Sequence, residues 1–325
     1  MAYSSIVKPT DYFNTVLYTG NGSTQSITGV GFQPDWVWGK ERGGANSHML
    51  ADSVRGATKI LFSNLNNAED TDANSITSFD SDGFGIGSSG NLNASSDTYV
   101  AWNWKANGSG SINYDGSITS TVSANQTAGF SIVSYTGTGS VATVGHGLGV
   151  TPKMIIVKCR NTTPAWQVYH ASLGATKYLK LDQTSAEANE TNRWNDTNPT
   201  SSVFTVNDSA SVNGNTNTYI AYCFAEKTGY SKFGSYTGNG NADGTFVYTG
   251  FKPAFVMVKV SSGTTGNWQM QDTKRLGYND KNVRILANVN EAEKTDQMWD
   301  ILSNGFKVRS TSGDANGSGN TYIYM

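Results

Sequence analysis

Charge is scarce in this chain. Asp, Glu, Lys and Arg make up 15% of its 325 residues and nearly cancel, leaving a net charge of −2. A protein that holds nucleic acid needs a dense basic surface for the phosphates, and a helix that lies on a membrane needs a basic amphipathic face. Neither pattern is present, so no nucleic acid partner and no membrane insertion are expected. Long apolar runs are missing too, since no window approaches the roughly 20 apolar residues of a membrane helix. Residues 1–15 (MAYSSIVKPTDYFNT) lack the basic-then-apolar order of a secretory leader, and no signal peptide is expected.

Reactive side chains are equally few. Nucleophilic catalysis needs a base held beside a Ser, Thr or Cys, and the chain has no Gly-x-Ser-x-Gly elbow to present one. Its histidines are His48, His146 and His170, its cysteines Cys159 and Cys223, and no His/Cys cluster has zinc spacing. Asp80-Ser81-Asp82-Gly83 resembles half of a calcium loop, but the glutamate that would complete it is absent. Asp, Asn and Gly are also what a tight turn selects, and the stretch is read as a turn. His146, inside Gly145-His146-Gly147-Leu148-Gly149, is read the same way. Catalytic residues, metal ligands and cofactors are all read as none, and the chain as a non-enzyme. The two cysteines are read as buried free thiols, with a bridge across a sandwich as the alternative.

Glycine, by contrast, is plentiful at 36 residues, and with Ser, Thr and Asn it marks short strands joined by many turns. The dominant signal is a stretch written three times: Gly31–Lys40 (GFQPDWVWGK), Gly149–Lys158 (GVTPKMIIVK) and Gly250–Lys259 (GFKPAFVMVK). The Pro-to-Lys offset is the same in each, 40−34, 158−152 and 259−253. Each copy is apolar on both faces, which predicts a fully buried strand entered at Pro34, Pro152 or Pro253, because proline cannot donate to a ladder.

Other landmarks recur in order. Upstream lie Tyr18-Thr19-Gly20-Asn21-Gly22, Tyr135-Thr136-Gly137-Thr138-Gly139 and Tyr236-Thr237-Gly238-Asn239-Gly240, each an aromatic strand running into a turn. Trp166-Gln167 and Trp268-Gln269 correspond, with Ser47-His48 in their place in the first copy. Gly56–Lys59 and Gly174–Lys177 share Gly-Ala-Thr-Lys, which the third copy lacks. Closing strands begin at Thr98-Tyr99, Thr218-Tyr219 and Thr321-Tyr322.

The reading is all-β: three tandem β-sandwich repeats, jelly-roll or lectin-like, with at most one short helix each. Boundaries fall at 1–15 for an N-terminal arm, 16–104 for repeat 1, 105–129 for a Gly/Ser/Asn/Thr linker with a possible hairpin around Asp115-Gly116, 130–226 for repeat 2 and 231–325 for repeat 3. Each repeat has the size of an independent domain. The short 227–231 link implies that repeats 2 and 3 are held more tightly than repeats 1 and 2. The one helical candidate is Glu291–Leu302. The last strand stops at Met325, where the earlier copies continue through Asn103-Trp104-Lys105 and Cys223-Phe224-Ala225; an abrupt end and a fragment of a longer chain both stay open.

The repeat core is read as Pro34, Trp36, Pro152, Met154, Pro253 and Phe255 with Tyr99, Tyr219 and Tyr322. Trp38, Trp102 and Trp104 align with Ile156, Tyr222 and Phe224 and are read as core as well. Trp166, Trp194 and Trp268 lie in polar stretches and are the candidates for a ligand-stacking surface. No acidic residue recurs at a landmark in all three copies, which argues against three copies of a glycosidase-like carboxylate pair.

Laid out this way, Asp115–Gly139, Val144–Arg160 and Asn217–Glu226 resemble repeated modules in structural proteins of tailed bacteriophages from marine environments, many of them tail-fibre-like. The resemblance implies a virion component, made in the host cytoplasm without a signal peptide, with other virion proteins as partners and no settled catalytic residues. It points first to a tail fibre or spike: modules in series, a homo-oligomer with a trimer favoured, loops binding a host surface glycan or outer-membrane protein. A capsid decoration protein is the alternative, and a polysaccharide-degrading spike a third reading.

Overall fold

The Pro-strand-Lys element runs through the middle of each repeat because both of its faces have apolar partners. In the computed structural model, which describes residues 4, 6–275, 279 and 283–325, it forms the strands Trp36–Glu41, Met154–Cys159 and Phe255–Ser262. Pro34, Pro152 and Pro253 are buried just ahead of them. Each strand pairs antiparallel with the closing strand of its repeat on one side, Thr98–Trp104, Thr218–Phe224 or Thr321–Tyr324. On the other side lies Met49–Asp52, Gln167–His170 or Gln269–Asp272. A smaller antiparallel sheet covers one face of each, built in repeat 1 from Gln25–Ile27, Gly83–Ile86 and Ile76–Asp80. The architecture is all-β, in sandwiches; among the described residues the helices are a 3-10 turn at Pro9–Asp11 and a four-residue α-helix at Gly90–Asn93.

Side chains alternate along a strand, and here the two faces enter different cores. Val37, Ile155 with Val157, and Val256 with Val258 point between the two sheets of their own repeat. Trp36, Trp38, Met154, Ile156 and Met257 point the other way, into one core shared by all three repeats. The closing strands send Trp102, Trp104, Tyr222, Phe224 and Ile323 to the same place. The three large sheets therefore stand around a common axis with their backs together. Independent domains in series are not what forms: the apolar outer face of each large sheet would meet water if the repeats stood apart. At the axis Trp36 of repeat 1 stacks on Tyr222 of repeat 2 with centroids 4.3 Å apart, so repeats 1 and 2 pack directly against each other.

Polar contacts follow the same cyclic order. Trp166 Nε1 donates to Phe62 O at 2.9 Å and Trp268 Nε1 to Lys180 O at 2.8 Å, while His48 Nε2 is 2.9 Å from Leu286 O. The acceptors are equivalent, each facing the first residue of the neighbouring strand: Met49↔Phe62, Gln167↔Lys180 and Gln269↔Leu286. Repeat 2 thus bonds repeat 1, repeat 3 bonds repeat 2 and repeat 1 bonds repeat 3. The residue standing in the tryptophan position of repeat 1 is His48, one place later than the Ser47-His48 alignment put it. A second ring is formed by main chain, from Glu69 N to Arg160 O, Glu187 N to Ser261 O and Glu293 N to Arg42 O. In two of these three contacts Arg and Glu also pair as forks, Arg160 with Glu69 at 2.8 and 2.9 Å and Arg42 with Glu293 at 3.0 and 2.8 Å.

The recurring tyrosines and glycines have one job in all three copies. Tyr99, Tyr219 and Tyr322 are fully buried, and each stacks on the motif tyrosine beside it, Tyr18, Tyr135 or Tyr236, at 5.0–5.1 Å. Each hydroxyl accepts from one loop N–H and donates to one loop carbonyl, as Tyr219 does with Gly214 N and Ala210 O. The first motif glycine lies against that same loop: a Cβ on Gly137 would sit 2.3 Å from Gly214 O, which no side chain tolerates.

Several expectations are revised. The 105–129 stretch is not a linker: Ser111–Asn113 pairs with Ser120–Asn125, which pairs with Phe130–Thr136, so the hairpin extends the sheet of repeat 2. Its Ser/Thr/Asn content reflects an edge with water on one face. Residues 6–15 are not a loose arm, since Ile6 is buried and Phe13–Thr19 is already the first strand. Glu291–Leu302 is not a helix; Trp299–Leu302 is a strand that turns at Ser303-Asn304 into Gly305–Val308, and this tight hairpin leaves no room for a helical turn. Cys159 and Cys223 are free and buried, on adjacent strands rather than across the sandwich. Asp80–Gly83 closes a hairpin, with the Asp82 carboxylate accepting from Gly29 N and Gly31 N. The segment of repeat 3 matching Gly56–Lys59 lies largely outside the described residues.

Because one core serves three repeats, Trp36→Ala in repeat 1 should cost about 3–5 kcal/mol. It should also weaken hydrogen-exchange protection in Met154–Cys159 of repeat 2. Loss of protection confined to residues 13–104 would show the repeats to be energetically separate. In the loop behind Tyr219, Asn213→Ala removes the acceptor of Thr138 N and a donor to Ser140 O, and urea unfolding should register about 1–3 kcal/mol.

Candidate functional site

The tryptophans singled out for a surface are not on one. Trp166 is 0% exposed, Trp194 2% and Trp268 1%. Trp166 and Trp268 sit at the seams between repeats and Trp194 sits in the interior of repeat 2, edge-on to Tyr169 at 6.1 Å. Their polar neighbours in sequence belong to turns that cap those seams, which is why the local composition misled. Among the described residues the aromatic side chains most open to solvent are Tyr114 at 74%, Tyr248 at 64% and Phe246 at 43%. Tyr114 lies in the turn of the added hairpin of repeat 2, directly after Ser111–Asn113. Phe246 and Tyr248 flank buried Val247 on an edge strand of repeat 3, so strand alternation turns both outward.

An apolar cavity of about 450 Å³ opens at one end of the shared axis. Trp104, Phe130 and Phe224 form its floor, and Phe255, Phe13 and Met325 its walls. Trp104 of repeat 1 and Phe224 of repeat 2 reach it from the ends of their closing strands, and Tyr324 and Met325 line it from repeat 3. Its polar lining side chains include Asn14, Thr249, Tyr230, Ser231, Thr273 and Lys232, and among the described lining residues there is no Asp, Glu, His or Cys. A cavity of this size and lining is shaped for apolar groups. Its titratable lining side chains are lysines and tyrosines, among them Lys232 and Tyr230.

The titratable residues with displaced pKa values lie elsewhere and hold the fold together. His48 Nδ1 accepts from Trp38 Nε1 at 2.9 Å, so its proton is on Nε2, directed at Leu286 O. Burial, helped by the Lys40 ammonium, brings its pKa down to about 3. His170 has the same tautomer, accepting from Ser172 N and facing Tyr324 O across the repeat 2–repeat 3 seam, and burial lowers it to about 4. His146 closes its turn through Leu148 N.

The lysines that end the repeated strand are Lys40, Lys158 and Lys259, all fully buried and all lowered to about 8 by desolvation. Their ammonium groups donate to main-chain carbonyls: Lys158 to Cys159, Thr162 and Pro164, Lys259 to Val260 and, across the seam, to Thr184.

Two sets of recurring residues escaped the sequence reading. Asn93, Asn213 and Asn316 are fully buried and bind the YTG turn identically, and a constant offset from the closing tyrosine, 99−93, 219−213 and 322−316, marks them. An acidic residue does recur, as Glu69, Glu187 and Glu293. From the repeated lysine the offsets are 69−40 and 187−158 but 293−259, five residues longer in repeat 3, which hid the match. These carboxylates sit at seams, not in the cavity. Among the described residues no three His, Cys, Asp or Glu gather in a way that could hold a metal ion, and no helix is long and apolar enough to cross a membrane.

The sandwich repeats and their shared core define a three-repeat all-β protein. The chain belongs to the family described as Domain of unknown function (DUF7483), whose model matches residues 8–325. No curated protein matches it significantly.

Stability should depend on pH in a direction these shifts dictate. The histidines are harder to protonate folded than unfolded, so their contribution is complete above about 6.5 and is lost as pH falls toward 4. The three lysines act alike at higher pH: the unfolded chain holds more protons between about 8 and 10.5, and stability rises through that window until the buried tyrosines, raised by burial, reverse it above about 10. Urea midpoints at pH 4.5, 7 and 9.5 should therefore increase in that order, and a midpoint that is flat or falls from 7 to 9.5 would contradict the buried charged lysines.

Proposed function

We propose that this chain is a structural part of a tailed-bacteriophage virion, a tail-fibre or spike component that meets a host surface glycan or outer-membrane protein through the loops of its sandwich repeats. The observation that carries this reading is the placement of reactive and aromatic residues: tryptophans, histidines, repeated lysines and glutamates all serve seams or cores. A body so constructed presents loops on a rigid support, which suits recognition. It works by binding, without catalysis or cofactor, and its partners are other virion proteins. A homo-oligomer, a trimer first, fits this role because several weak sites on one particle add up to useful avidity.

One observation favours a second reading, capsid decoration. Modules in series would suit a fibre shaft, whereas three repeats closed around one axis make a knob. Gold-labelled antibody on virions that carry the chain separates the two: label on tail appendages is expected. Label over the head would replace the fibre reading with decoration, and intact particles without label would overturn the virion reading itself.

A further inference from the structure

One strand of the small sheet has a covered outer edge in repeat 2 and an open one in repeat 3. Val247 of Phe246–Tyr248 faces Phe306, as Val144 of Ala142–Gly145 faces Phe204 and Ile27 of Gln25–Ile27 faces Phe84. Phe246 therefore corresponds to Thr143 and Ser26, and Tyr248 to Gly145 and Thr28.

In repeat 2 the segment around the Asp115-Gly116 turn covers this edge. Ile118 bridges Val144 in parallel, and its side chain, 5% exposed, joins the core of that repeat. Ile118 N donates to Thr143 O at 2.9 Å, Thr143 N donates to Ser117 Oγ at 2.9 Å, and Ser120 Oγ donates to Gly145 O at 3.3 Å. Both main-chain groups of Thr143 are thus satisfied. Gly116 allows the close approach, since a Cβ there would sit 2.3 Å from Thr143 O.

In repeat 3 the same groups face outward with nothing beside them. Val308 N donates to Thr245 O at 3.0 Å and Thr249 N to Asn304 O at 2.9 Å, so the ladder to Gly305–Val308 uses Thr245, Val247 and Thr249, the alternate residues of an antiparallel pair. The N–H and C=O of Phe246 and Tyr248 point away from that ladder, and they have no partner among the described residues. The side chains differ as well. Repeat 1 leaves this edge open too, but with the short polar Ser26 and Thr28, whereas repeat 3 sets the two exposed rings of Phe246 and Tyr248 on it. Sheets ordinarily guard an open edge against pairing, and apolar bulk on one invites it.

We propose that Phe246–Tyr248 is a strand-acceptor edge, which takes a short extended segment of a partner polypeptide running parallel to it, with an aliphatic residue beside Val247. Repeat 2 prescribes this occupant through Gly116–Thr119, Gly-Ser-Ile-Thr. Strand addition supplies affinity through main-chain bonds, here to Phe246 and Tyr248, and selectivity through alternate side chains. The aliphatic residue turns inward with Val247, and its two neighbours lie against the aromatic rings as cross-strand pairs. The comparison of repeats carries this assignment, so it does not depend on the virion reading.

The test uses the whole chain and two peptides, acetyl-Asp-Gly-Ser-Ile-Thr-Ser-amide, which copies residues 115–120, and the same peptide with Asn in place of Ile. The first should bind saturably at millimolar concentration and shift the amide resonances of Phe246 and Tyr248, and the second should bind at least about 10-fold more weakly for want of the buried aliphatic side chain. Replacing both rings with the residues of repeat 1, Phe246→Ser with Tyr248→Thr, should abolish those shifts while the remaining amide spectrum is kept. Equal binding of both peptides, no saturation, or binding that survives the double replacement overturns the proposal. Amide exchange on the chain alone decides the source of the strand: if Phe246 and Tyr248 are already protected and lose that protection on dilution, the edge is paired with a second copy and the partner assignment falls.

Discussion

Burial of the outer faces of three sheets against one another is the constraint from which the rest follows. A strand at the centre of a two-layer sandwich needs an apolar stripe on one face only, yet Trp36–Glu41, Met154–Cys159 and Phe255–Ser262 carry one on each. The second stripe obliges the repeats to pack back to back, and three of them around an axis is the arrangement that leaves little of it in water. Trp36 holds the key position, because it touches Tyr222, Trp104, Phe130 and Phe224 from two repeats at once. Aromatic pairs of this kind add about 0.5–1.5 kcal/mol each beyond the area they bury.

A packed apolar interface alone would allow the sheets to slide, and the polar ring around it sets the angle. Every seam carries the same three items: an indole or imidazole donor to a carbonyl of the next repeat, a main-chain bond from the recurring glutamate, and a group facing the end of the neighbouring closing strand. The last of these is Asp52 for the Tyr222 hydroxyl, Asp272 for the Trp102 indole and His170 for the Tyr324 carbonyl. Asp52 and Asp272 are fully buried charges, and each is paired with an arginine three residues on, Arg55 or Arg275, that is itself buried. Buried pairs of this sort add little net stability, but a wrong docking angle would leave them unpaired, which is costly. They therefore specify which repeat meets which.

The functional surface is what this scheme leaves over. The residues with chemical versatility are used at seams, so the outward loops, the exposed Tyr114, Phe246 and Tyr248 and the open end of the shared core are what other molecules can meet. Repeat 3 is also the place where the internal symmetry is adjusted. Tyr324 stands where the other repeats have Ala101 and Ala221, and its strand partner is Gly234 where they have Val16 and Val133, an exchange of bulk between paired residues. A Cβ on Gly234 would lie 2.6 Å from the Tyr324 hydroxyl, so the glycine makes room for the tyrosine ring as it is placed.

The sequence by itself determined the strands, the turns and the threefold repetition, because these depend on contacts within a few residues: proline at a strand entrance, two-faced apolar alternation, and glycine where a loop carbonyl leaves no space. It also determined that Trp36, Trp38, Trp102 and Trp104 are buried, since their counterparts Met154, Ile156, Tyr222 and Phe224 are apolar or aromatic at the same spacing. Which core they enter, the burial of Trp166, Trp194 and Trp268 and the pairing of 105–129 into a sheet were decided only in three dimensions. The reason is physical: local pattern states that a face must be covered, but the cover comes from residues about a hundred positions away, as Phe62 does for Trp166 and Lys180 for Trp268. The apolar cavity is the extreme case, because its lining comes from all three repeats and only their closure around one axis brings Trp104, Phe224 and Phe255 together.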